Sequence, residues 1–124
     1  MIQAVLPAMR ERRQGLIINI SSISGLRASS LAGAAYSSSK HALNALSKVV
    51  GQEEERNGIR ATIIAPGDTN TSLLDKRPTP VSDEQRARIL QPADIAAAAL
   101  FIATLPAHVS VPELVIKPVG HPYA

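Results

Sequence analysis

Tyr36 and Lys40 stand four residues apart in Ala35-Tyr36-Ser37-Ser38-Ser39-Lys40-His41, and a serine pair ending at Ser22 lies fourteen residues before Tyr36. On a helix, residues i and i+4 project from one face, so the Lys40 ammonium can lie near the Tyr36 phenol. A positive charge beside a phenol favours its deprotonated form, which suits a general acid or base. Ser22 follows an apolar run and would hold a substrate oxygen while the phenol exchanges a proton. Together these residue types describe proton transfer at an oxygen-bearing carbon.

Such a site needs elements that bring the serine and the tyrosine together. Leu16-Ile17-Ile18-Asn19-Ile20 is a short β-branched run flanked by Gly15 and Ser21, the pattern of a buried strand that delivers Ser22 at its end. The Ser- and Gly-rich residues 21–33 read as loop. Residues 34–57 read as a long helix carrying Tyr36 and Lys40 in its first turns, with an apolar stripe at Leu43, Leu46 and Val50 and a stop at Gly58. Residues 59–65 read as a second strand, broken by Pro66-Gly67. Strand, helix and strand in that order make a βαβ unit with a right-handed crossover.

The flanks extend this unit. Residues 2–13 have helical spacing, with Val5, Leu6 and Met9 on one side, a bend at Pro7, and Arg10, Arg12 and Arg13 as a solvated closing turn. Residues 68–91 are polar, contain Pro78 and Pro80, and read as a mobile excursion with a short helix over 83–90. Pro92 opens an alanine-rich helix over 93–105, stopped by Pro106; residues 113–116 are a last strand and 120–124 a frayed tail. The expected fold class is α/β, the C-terminal portion of a doubly wound parallel sheet of the Rossmann type, as one partial domain over 1–124. The chain opens at Met1 within helical spacing and without a capping residue, and no Gly-rich strand-to-helix turn occurs. The expectation is that it is the C-terminal half of a larger fold, or begins at an internal methionine.

Composition narrows the function classes. The 124 residues are 45% hydrophobic and 19% charged, ordinary for one small domain. There is no cysteine, which excludes disulfides, thiolate metal sites and a cysteine nucleophile. The longest apolar, uncharged stretch, 95–105, falls far short of the roughly 20 residues of a membrane span. With no secretory leader pattern, a soluble, cytoplasmic protein is expected. The net charge of +3 invites a nucleic-acid partner, but Tyr36, Phe101 and Tyr123 are the only aromatics, too few to stack on bases, so none is expected. His41, His108 and His121 lack the close pairing of a zinc site, so no metal is expected either. Glu53-Glu54-Glu55 reads as a solvated face, and Asn19 as a strand-end residue satisfying neighbouring backbone groups.

Three segments in this order resemble the short-chain dehydrogenase/reductase family over essentially the whole chain. Asn19-Ile20-Ser21-Ser22 resembles its strand-end NxSS, Tyr36-Ser37-Ser38-Ser39-Lys40 its YxxSK, and Pro66-Gly67-Asp68-Thr69-Asn70-Thr71 its PGxVxT. The resemblance implies that Ser22 binds the substrate carbonyl or hydroxyl and Tyr36 exchanges its proton. It implies that Lys40 assists Tyr36 and binds the nicotinamide ribose, and that Pro66, Gly67, Thr69 and Thr71 line the nicotinamide end of the cofactor. Ser24, twelve residues before Tyr36, is the alternative serine. The cofactor would be NAD or NADP, and the substrate a small-molecule secondary alcohol or ketone. Thr69 stands where the family usually has valine or isoleucine. The family's cofactor-binding TGxxxGxG turn, its residue choosing NAD or NADP, and its asparagine on the preceding helix would all lie before Met1.

The family's habits also imply a homo-oligomer packed through residues 34–57, with Ala42, Ala45, Leu46 and Val49 at the association surface. The competing reading is a catalytically inactive fragment serving only as a structural or oligomerisation module. An epimerase or dehydratase of the extended branch shares the tyrosine and lysine, but the NxSS and PGxxxT segments argue against it. Lys76, Arg77 and Arg86 in the excursion would suit an acidic substrate, although exposed loop charges are usually only solvated.

Overall fold

A computed structural model of the chain describes residues 1–77 and 79–121. Three strands, β1 (Gly15–Ile20), β2 (Ile59–Pro66) and β3 (Glu113–Ile116), form one parallel sheet in the order β1-β2-β3. Gly15 pairs with Ile59 and Ile20 with Ile64, while Ile63 to Pro66 pair with Glu113 to Ile116. β2 is central, and every residue from Ala61 to Pro66 is buried, as expected of a parallel strand covered on both faces. Ile59, Ile63 and Ile64 are almost fully buried, each worth about 1.5–3 kcal/mol of transfer free energy.

Helices α1 (Ile2–Glu11) and α2 (Ala34–Glu54) share a core with the sheet, built from Leu6, Ile17, Val50, Ile59 and Ala61, with Ile2 and Met9 packed against it. α3 (Asp83–Arg88) and α4 (Pro92–Thr104) lie in the connection from β2 to β3, and α4 buries Ile102. The strands and α4 fall within a residue of their expected positions. α1 runs through Pro7 and stops at Glu11, two residues early; α2 gives way at Glu55–Asn57 to one 3-10 turn before Gly58. Among the described residues no helix is long and apolar enough to cross a membrane. The expected tail lies mostly at 122–124, outside the described residues, as do Pro78 and Tyr123.

Four expectations are corrected. Of the expected stripe Leu43, Leu46 and Val50, Val50 is buried in the core but Leu46 is 50% exposed; the buried residues of α2 are Ser37, Asn44, Ser47, Val50 and Glu54. Small polar residues suit this face because α2 lies close on the sheet. A Cβ on Gly51 would touch the Ala61 Cβ at 3.5 Å, and Ser47 Oγ accepts from Asn19 Nδ2 at 2.7 Å and donates to the Leu43 carbonyl at 2.8 Å. Asn19 is thus structural, although its partner is a helix side chain and not the neighbouring backbone groups expected.

Glu53-Glu54-Glu55 is not one solvated face, and the arginines ending α1 are not a merely solvated turn. Glu54 is 3% exposed and accepts from Arg10 Nε at 3.0 and 3.1 Å, from Arg10 Nη2, and from Asn57 Nδ2 at 2.9 Å. Hydrogen bonds from Arg10 and then Asn57 hold the Glu54 carboxyl down at about 2, and the carboxylate raises the Arg10 guanidinium above its ordinary value. Arg13 donates to Asn57 Oδ1 at 3.1 Å and to the Arg56 carbonyl at 2.6 Å, so the end of α1 is tied to the end of α2. Gly58 turns there with φ +70°, and a Cβ on it would lie 2.3 Å from the Arg13 carbonyl oxygen.

The segment expected to be a mobile excursion is a closed, cross-braced loop. Asn70 N–H donates to the Leu90 carbonyl at 2.7 Å and Leu90 N–H to the Asp68 carbonyl at 3.1 Å, which pinches its two ends together. Arg86 reaches Asn70 Oδ1 at 3.1 Å and pairs with Asp75, and a 3-10 segment, Ser72–Lys76, buries Leu74.

Candidate active site

Because the three strands are parallel, their C-terminal ends share one edge of the sheet, and α2, returning from β1 to β2, starts at that edge. Ser22 follows the end of β1 in extended backbone and caps the 3-10 turn Ile23–Gly25, its Oγ accepting from Ser24 N–H at 3.1 Å. Tyr36 occupies the first turn of α2, after Gly33 with φ +78°, and Lys40 the next. The Lys40 Nζ lies 5.6 Å from the centre of the Tyr36 ring and donates to the Ile20 carbonyl at 3.1 Å. The helix spacing therefore brings the ammonium against the phenol and ties it to the strand end that carries the serine.

A cavity of about 1090 Å³ opens at this edge, large for a ligand site. Its lining includes Ser22, Tyr36, Lys40, Pro66, Gly67, Thr69 and Thr71, so all seven residues singled out from sequence meet there. Ser24 lines it too. Thr69 Oγ1 donates to the Gly67 carbonyl at 3.0 Å, fixing the turn after β2.

Of the charged rim the sequence reading named Lys76 and Arg77 but not Asp68, Lys117 or His121 as cavity residues. Arg77 Nη2 donates to Asp68 Oδ1 at 2.6 Å, His121 Nδ1 lies 3.9 Å from Asp68 Oδ2, and Lys117 Nζ donates to the His121 carbonyl at 2.8 Å. Asp68, Arg77, Lys117 and His121 all line the cavity. The signals in sequence were the position of Asp68 beside Gly67 and the loop charge of Arg77; their pairing depends on chain closure across nine residues.

A sequence profile described as short chain dehydrogenase matches residues 1–81. The chain belongs to that family. Over 118 residues it is 35% identical to an uncharacterized oxidoreductase of Staphylococcus aureus (strain MW2), an alignment covering 95% of this chain and 48% of the relative. Serine dehydrogenase from Escherichia coli matches in structure with a TM-score of 0.81 and 30% identity, over 99% of this chain and 49% of that one. The closed form of serine dehydrogenase complexed with NADP+ gives a TM-score of 0.83 at 30% identity, over 100% and 52%. This member of the family thus has the expected Rossmann-type α/β fold, and it spans about half the length of the relatives it matches.

Proposed function

We propose that this chain is the proton-transferring, substrate-facing half of an NAD(P)-dependent oxidoreductase that moves hydride between a nicotinamide cofactor and a secondary alcohol or ketone. The observation that carries this reading is the convergence of Ser22, Tyr36 and Lys40 with Pro66, Gly67, Thr69 and Thr71 around one cavity at the C-terminal ends of parallel strands. Ligands of open α/β sheets bind there. The greater length of the relatives is in keeping with a cofactor-binding half outside residues 1–124.

The donor set fits a nicotinamide riboside. Lys40 gives one of its three N–H donors to Ile20, leaving donors for a ribose hydroxyl and the Tyr36 oxygen. Pro66, Gly67, Thr69 and Thr71 would hold the nicotinamide end. A nicotinamide bound there supplies or accepts the hydride. Because Ser22 Oγ accepts from Ser24 N–H, its own hydrogen is left to donate to the substrate oxygen. Tyr36 gives its proton to that oxygen during reduction and takes it back during oxidation. Negative charge developing on the oxygen is met by two hydroxyls already in position, and Lys40 stabilises the phenolate left behind.

The outer face of α2 supports self-association as part of this reading, since Leu46 and Val49 are about half exposed beside exposed Ala42 and Ala45. That face is also what favours the second reading, an inactive oligomerisation module. The deciding experiment titrates the protein, as its native cell makes it, with NADH and NADPH and follows turnover of a ketone panel, in the native sequence and in Tyr36→Phe. Binding in both with turnover only in the native sequence supports the oxidoreductase. A stable oligomer that binds neither NADH nor NADPH makes the module the function.

A further inference from the structure

Ser22 is useful only at the right distance from Tyr36, yet it stands on a loop, and the bonds within its turn are local. Gly25 N–H donates to the Ser22 carbonyl at 2.9 Å, and Leu26 and Arg27 N–H both donate to the Ile23 carbonyl at 2.9 Å. None of these fixes the turn relative to α2. Two side chains of α2 do. Lys40 Nζ donates to the Ile20 carbonyl, two residues before Ser22, and Asn44 Nδ2 donates to the Gly25 carbonyl, three residues after it, at 2.8 Å. Tyr36, Lys40 and Asn44 follow one another at four-residue steps along the same helix.

The contact made by Asn44 is intimate. Asn44 is 4% exposed and Gly25 is buried. A Cβ on Gly25 would lie 2.8 Å from Asn44 Nδ2 and 2.8 Å from the Lys40 carbonyl oxygen. Only a residue without a side chain lets the serine turn rest on the helix backbone here. The hydrogen bond is shielded from water, so its loss leaves the Gly25 carbonyl unpaired in a dry contact, which costs more than loss of an exposed bond.

We infer that Asn44 is a positioning residue that fixes Ser22 against Tyr36 by holding the Gly25 carbonyl to α2. This rests on the proposed oxidoreductase function for its kinetic consequence, but its structural consequence stands without it. Displacing a catalytic group by as little as about 1 Å can cost about a hundredfold in rate. Asn44 acts only through Ser22, so its effect vanishes where Ser22 has no hydroxyl to position.

The test uses the parent protein in four forms: native, Asn44→Leu, Ser22→Ala and the double variant. Leucine keeps the volume and removes the donor. Amide hydrogen exchange is the first readout: in Asn44→Leu, exchange at 23–27 rises about tenfold or more, while the core of β2 keeps its protection. No change at 23–27, or equal loosening of β2, overturns the inference, whatever the enzyme does. The second readout is NADPH-dependent reduction of ethyl acetoacetate as probe ketone. Asn44→Leu lowers kcat about ten- to a hundredfold with little change in KM, and in the Ser22→Ala background it adds less than about twofold. An equal loss in both backgrounds overturns the inference. Failure of the native protein to reduce any of a panel of ketones with either NADH or NADPH overturns the functional reading instead and leaves hydrogen exchange to decide the role of Asn44. Asn44→Gln, which keeps a donor, restores part of the kcat and the protection if the bond itself matters.

Discussion

The two ends of helix α2 use polar groups in opposite ways. At its C-terminal foot, Glu54 accepts from Arg10 and Asn57 while Arg13 reaches Asn57 and the Arg56 carbonyl, so charges and amides consume one another's capacity. At its N-terminal end, Lys40 spends one donor on Ile20, Ser22 keeps its own hydrogen, and the Tyr36 hydroxyl makes no hydrogen bond among the described residues. The foot is closed chemistry and the head is open chemistry. One rigid helix lets the first anchor the second: satisfied groups hold its position, and incompletely satisfied ones are free to meet a substrate.

The largest expected effect that would sharpen this contrast is at the head. Tyr36→Phe removes the hydroxyl and nothing that packs, so kcat for a ketone substrate should fall by about 10²–10⁴, with NADPH affinity and the urea midpoint unchanged. Retained turnover would take the proton-transfer role away from Tyr36. Next, Lys40→Met should weaken NADPH binding and lower kcat together, on the order of a hundredfold in kcat. It also cuts the tie to the Ile20 carbonyl, so a fluorescence titration and a rate measurement on the same sample should both move. If neither moves, Lys40 belongs with the structural groups of the foot.

At the foot the expected effects are on stability alone. Gly58→Ala places a Cβ 2.3 Å from the Arg13 carbonyl in a left-handed turn, and strain plus steric conflict should cost about 1–3 kcal/mol. Urea unfolding should show that loss while kcat per folded molecule stays native. A lowered kcat with unchanged stability would mean that the two ends of α2 are not separable.

The contrast also explains what could be read from sequence. The strands were legible because β-branched runs bounded by Gly, Ser and Pro have few other uses, and the site because Tyr36 and Lys40 share a helix turn while Ser22 ends a strand. Each of those signals is local. Burial of Glu54 was not legible, since it depends on an arginine 44 residues away reaching the same corner. The packing face of α2 was legible at Val50 only, because close approach of the helix to the sheet and to the Gly25 turn selects Ser47 and Asn44 where a leucine stripe was expected. Closure of the loop at 68–91 escaped for the same reason, as Asn70 meets Gln91 and Leu90 only once the chain has turned back.

The smallest expected effect is the pH dependence of the foot. The Glu54 carboxyl is held at about 2 in the folded chain against an ordinary value near 4.5. A carboxyl depressed by folding binds its proton more readily in the unfolded chain, so its stabilising contribution is fully present above about 4.5 and is lost as pH falls through about 2. Arg10 is half exposed, and solvent screening keeps the contribution modest. Glu54→Gln keeps the shape and an acceptor but removes the charge. The gap in urea midpoint between native and variant should therefore be widest at neutral pH, narrow steadily below about pH 4.5, and close near pH 2. A gap constant over that range would mean that hydrogen bonding without charge holds the foot of α2, and the anchor would then be no more electrostatic than the head it supports.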